Sequence, residues 1–148
     1  MSLLDTLKTD MKAAMKAREA AKLGVIRMLI AGLQKQQIDE RRDLTEADEV
    51  DFIAREAKKR KESILAFDKG GRDDLSQIER AELVIIDTYL PAQMTEAEVL
   101  ELIDQAIADT GASTPKDMGK VMGKIMKPLR GKFDGKATKD LVMSRLQG

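Results

Sequence analysis

Apolar residues recur at three- and four-residue steps along almost the whole chain, and no segment sustains the alternation that a half-buried strand requires. A chain patterned this way must bury one stripe of each helix against other helices, which predicts an all-α fold. Ser2 is placed to cap a first helix that turns Leu3, Leu4, Leu7, Met11 and Met15 inward. A weakly marked break at Arg18–Ala21, with neither Gly nor Pro, precedes a second helix carrying Leu23, Ile26, Leu29, Ile30 and Leu33. The polar run Gln36–Asp43 reads as a connection, and Thr45-Glu46-Ala47-Asp48 as a capping box with Asp in place of Glu. The third helix then runs through Val50, Ile53, Ala57 and Ile64 to Phe67, where Gly70-Gly71 stops it.

A fourth helix is expected from Asp73 or Asp74 to Tyr89, offering Leu75, Ile78, Leu83, Ile85 and Ile86 to a core. Leu90-Pro91 ends it, because proline disfavours helical geometry in the residue before it. The boundary between two domains falls at 91–94, giving an N-terminal domain of four helices over 1–91 and a three-helix one over 95–148. Thr95-Glu96-Ala97-Glu98 opens the fifth helix as a capping box, Gly111 closes it, and Thr114-Pro115 supplies an N-cap and first-turn proline for the sixth. Tyr89, beside the boundary, is expected to anchor the join.

The chain contains no cysteine and no histidine. Disulfides, the usual thiol nucleophile and the usual proton shuttle are therefore excluded, and only carboxylates remain as metal ligands. No serine lies in a Gly-rich nucleophile setting, and no phosphate-binding GxxxxGK[ST] loop occurs. No catalytic residue, metal or cofactor is expected. No apolar run approaches a membrane span and the N-terminus lacks a signal-like apolar block, so a soluble cytoplasmic protein without a membrane partner is expected.

Net charge is zero, from 26 basic and 26 acidic residues, but its distribution is uneven. Residues 95–112 hold five carboxylates and no base, whereas 113–148 hold nine bases against Asp117, Asp134 and Asp140, a net of +6. Lys116, Lys120, Lys124 and Lys127 fall within an arc of roughly 80° on the sixth helix at about 100° per residue. Met118, Val121, Met122, Ile125, Met126 and Leu129 lie opposite, and Gly119 and Gly123 sit on the flank as packing or bending sites. A lysine stripe without a carboxylate inside it suits a polyanion, although the solvated face of an amphipathic helix gives the same pattern. A second basic run, Arg55 and Lys58–Lys61, reads as a solvated face, with the Arg60 and Lys61 stems covering the core edge.

Asp117-Met118-Gly119-Lys120-Val121-Met122, then Gly131-Lys132-Phe133-Asp134-Gly135-Lys136, and a last helix ending Asp140-Leu141-Val142-Met143-Ser144-Arg145-Leu146 together resemble the GatB/YqeY family. The resemblance extends upstream through Tyr89-Leu90-Pro91-Ala92-Gln93-Met94, Glu79-Arg80-Ala81-Glu82-Leu83 and Gly71-Arg72-Asp73-Asp74-Leu75 to the first helix, as for a stand-alone YqeY-like protein. Phe133 departs from it, standing where a small residue is expected before Asp134-Gly135.

The C-terminal half is similar to the tail of the B subunit of glutamine-dependent tRNA amidotransferase, and similar domains are fused to a glutaminyl-tRNA synthetase. In those settings the tail contacts tRNA while other domains perform the chemistry. A family label of carbon–nitrogen ligase activity with glutamine as amido donor would thus be inherited through the tail. The resemblance implies a non-catalytic accessory module that binds tRNA. Lys116, Lys120, Lys124, Lys127, Arg130, Lys132, Lys136 and, more weakly, Lys139 would contact phosphates. The alternative is a protein-interaction module docking on an aminoacyl-tRNA synthetase or amidotransferase through its Met-rich or acidic faces.

Overall fold

A computed structural model of the chain describes residues 1–147, as seven α-helices with no strand among the described residues. The chain forms two compact units, Met1–Leu90 and a second from Pro91 onward. The all-α expectation holds.

The first unit contains α1 (Leu3–Lys16), α2 (Ala20–Glu40), α3 (Glu46–Lys69) and α4 (Asp73–Asp87). Ser2 and Asp5 close a reciprocal box at the start of α1, and Thr45 and Asp48 do the same for α3. The Asp48 carboxylate also accepts from Arg42 at 2.7 Å. That guanidinium first, and then the Thr45 N–H, hold Asp48 well below the usual carboxylate range. Arg18 (φ 58°) and Arg41 (φ 55°) take the left-handed conformation at the ends of α1 and α2, so both helices stop without glycine. Gly71 (φ 72°) does this between α3 and α4.

The core of this unit gathers Leu7, Ile26, Leu29, Leu33, Ile53 and Ile86, with Phe52 filling the space over Gly32. A Cβ on Gly32 would meet the Phe52 ring at 2.6 Å, so the missing side chain is what seats the ring. Between α3 and α4 the Arg60 guanidinium, 13% exposed, lies 2.7 Å from Glu82, 3.4 Å from Glu79 and 3.5 Å from Glu56. It also contacts the Met28 sulfur at 2.9 Å.

Four expectations need correction. The run Gln36–Glu40 is not a connection but the last turn of α2, held by i,i+4 pairs Lys35–Asp39 (2.6 Å) and Gln36–Glu40 (2.9 Å); its polarity is that of a helix face in water. Helix α4 ends at Asp87, and Tyr89 lies in the turn beyond it. Met15 and Ile78 are exposed rather than buried, because each falls at the edge of its helix stripe where no neighbour covers it. Tyr89 donates to Asp10 on α1 at 2.6 Å, so it secures the end of α4 inside the first unit. Burial, reinforced by that carboxylate, lifts its phenol above the ordinary range.

The second unit contains α5 (Glu96–Thr110), a single 3-10 turn at Pro115–Asp117, α6 (Met118–Leu129) and α7 (Gly135–Gln147). The Thr95–Glu98 box and Gly111 (φ 68°) bound α5. Its core is Val99, Ile103, Ala106, Val121, Ile125, Leu129, Val142 and Leu146. Phe133 packs half-buried against it, which gives the bulky ring a place in the α6–α7 turn.

Candidate nucleic-acid interface

The basic face is built on α6, because Val121, Ile125 and Leu129 go to the core and turn the other side of the helix outward. Lys120, Lys124 and Lys127 are all exposed there, within an arc of about 60° at about 100° per residue. Lys116 is exposed too, but it sits in the 3-10 turn, where residues advance by a different angle, so the row of four is three on the helix and one before it. Arg130 caps the C-terminal end of α6 and is half-buried, as is Lys132 in the following turn; Lys136 and Lys139 are exposed on α7. The side chains of Lys116, Lys124, Lys127, Lys132, Lys136 and Lys139 enter no hydrogen bond or ion pair among the described residues.

One feature of the row differs from expectation. The Asp117 carboxylate lies 3.7 Å from Lys120 Nζ, so the start of the stripe does carry a negative charge. That group earns its place through the backbone, accepting N–H groups from Ser113 at 2.9 Å and Thr114 at 3.2 Å. The Ser113 and Thr114 amides together hold its carboxyl below the usual carboxylate range, so it is ionised at neutral pH. Asp134 plays the matching part for α7, accepting from the Ala137 N–H at 3.0 Å. Asp134-Gly135 is therefore a helix entry rather than a free turn, and the left-handed turn residue is Gly131 (φ 72°).

Gly119 and Gly123 are not packing sites. A Cβ on either would meet nothing within 4 Å, so both leave bare helix backbone facing outward beside the lysines. Met126, placed with the apolar side from its spacing, is 56% exposed. The approach to the unit is fastened to the same region: Met94 N–H donates to Lys132 O at 2.9 Å, and Gln93 Nε2 donates to Gly131 O at 2.7 Å.

The second basic run is mostly spent on structure. Arg55 donates to Gln36 at 3.2 Å, Lys59 pairs with Glu56 at 3.2 Å, and Arg60 is held by three carboxylates. A cleft of about 370 Å³ between α2 and α3 is lined by Lys35, Asp39, Glu40, Arg55, Glu56 and Lys59. Three charges of each sign leave it without a preference for either.

Residues 4–146 match the family described as YqeY-like protein, so the chain belongs to that family. Relatives named altered inheritance of mitochondria protein 41, mitochondrial, include those of three fungi. That of Eremothecium gossypii is 39% identical over 58% of this chain and 48% of its own length. The Kluyveromyces lactis protein is 34% identical over 80% of this chain and 66% of its own. The Lachancea thermotolerans protein is 34% identical over 74% and 60%. The chain thus spans about half to two thirds of these curated relatives. Their names point to mitochondria and overturn the cytoplasmic expectation. The physical reason is that a lack of apolar segments reports on membrane insertion and carries no information about compartment.

Proposed function

We propose that this member of the YqeY-like family is a non-catalytic RNA-binding accessory module whose ligand is tRNA. The observation that carries the reading is the row of exposed ammonium groups on α6, with both nearby carboxylates, Asp117 and Asp134, committed to backbone amides. Lysine acts as a point charge on phosphate and reads little sequence. The link to tRNA amidotransferase comes from the resemblance of the C-terminal half to that enzyme's tail, and the ligase label would be inherited through it.

The test is charge reversal at Lys124 and Lys127, which are exposed and lack intramolecular partners among the described residues. Lys120 is spared because a carboxylate there would face Asp117. The double variant should keep its stability to within about 0.5 kcal/mol. Its affinity should fall alike for tRNAs of different sequence, and the log–log salt slope should flatten by roughly 1.8 for two lost phosphate contacts. Unchanged affinity with the fold intact would sink the site. A second reading, docking of a protein partner such as a synthetase or amidotransferase, is favoured by the exposure of Met126 on the same helix. Under that reading, binding to the partner would survive high salt and RNA affinity would be absent.

A further inference from the structure

We infer that the α6 face takes base-paired RNA in preference to unpaired strands, an inference that rests on the RNA-binding reading above. Single-strand binders combine a basic groove with aromatic rings on which successive bases stack, each worth about 1–3 kcal/mol. This protein has four rings in all, and none is exposed. Phe52 is buried over Gly32, Phe67 is half-buried, Tyr89 is tied to Asp10, and Phe133 packs on the core of the second unit. The second unit therefore offers no platform for a splayed base. Its cations are mostly lysines, which lack the planar face that lets arginine stack. Phosphate attraction is the remaining source of affinity.

That term favours the denser polyanion. Lys120 to Lys127 spans about 10 Å of helix axis at about 1.5 Å per residue. A duplex, at about 1.7 Å of axis per charge, presents roughly six phosphate charges along such a length, twice what one of its strands presents at about 3.4 Å per charge. Each neutralised phosphate also releases more counterion from a duplex, about 0.9 against about 0.7. For about four contacts that difference amounts to roughly tenfold in affinity at about 50 mM salt. The outward-facing backbone at Gly119 and Gly123 leaves the flank of the row unobstructed to a stiff duplex.

The experiment titrates the full chain with a short blunt RNA duplex and with one of its strands alone, at several salt concentrations. The expected result is roughly tenfold tighter binding of the duplex at low salt, with the steeper salt slope. Equal or tighter binding of the single strand overturns the preference for paired RNA while leaving the RNA-binding reading standing. Failure of both probes to bind at low salt overturns the reading itself, and the inference with it.

Discussion

Gly123 lies in the middle of α6, exposed, and a Cβ built there meets nothing within 4 Å. Its φ is not in the left-handed region, so alanine fits the existing backbone. Glycine in a helix interior costs about 0.8–1 kcal/mol relative to alanine, through the extra freedom of the unfolded chain and the loss of backbone shielding. Gly123→Ala should therefore stabilise the second unit by about 1 kcal/mol. For a unit of this size that corresponds to a rise in Tm of roughly 4–8 °C. Gly119, in the first turn, should gain less, because residues there fix fewer intrahelical bonds. Differential scanning calorimetry on the full chain resolves the shift, with the second unit's transition moving and the first unit's unchanged. A neutral or lowered Tm would refute the reasoning, since it would mean that the backbone at Gly123 needs glycine or that something occupies the space beside it. A stabilised variant that binds RNA more weakly would add that the bare backbone is used by the ligand.

Gly32→Ala should act oppositely, because its Cβ would sit 2.6 Å from the buried Phe52 ring; overpacking of this kind costs about 1–3 kcal/mol, read as a lower denaturant midpoint. Asp48→Asn should flatten the acid side of the stability profile. The folded carboxylate titrates below its ordinary value of 3.8, so its contribution is fully present above that value and lost as pH falls through the lower folded one. Urea midpoints of variant and parent should differ at neutral pH and converge in strong acid; a constant difference across the range would contradict the ion pair with Arg42.

Much of the fold could be read directly because its punctuation is chemical. Thr45, Thr95 and Gly111 each do what their residue type does at a helix end. The misreadings fall where neighbours decide. Arg18 and Arg41 end helices in a conformation that arginine rarely takes, held there by surrounding structure, and no local pattern announces that. Gln36–Glu40 looks like a loop because a long helix extends past its core contacts into water. Phe52 went unassigned to the core since its burial depends on Gly32, twenty positions away on another helix. At the candidate interface the lysine spacing was legible, being a property of one helix. The approach of Asp117 to Lys120 was not, because it depends on a 3-10 turn that rotates the residues before α6.

The bonds from Met94 to Lys132 and from Gln93 to Gly131 give the second unit a latch that closes early sequence onto late. A fragment begun at Thr95 would keep every helix of the unit and its buried core residues, yet lose Met94, which packs against them, and leave the carbonyls of the α6–α7 turn without their protein donors. The turn that carries Lys132 would then lose its tether, and the geometry of the basic face beyond α6 with it. A fragment begun at Pro91 retains the latch, so four residues that belong to no helix decide whether the isolated unit presents the same surface as the intact protein.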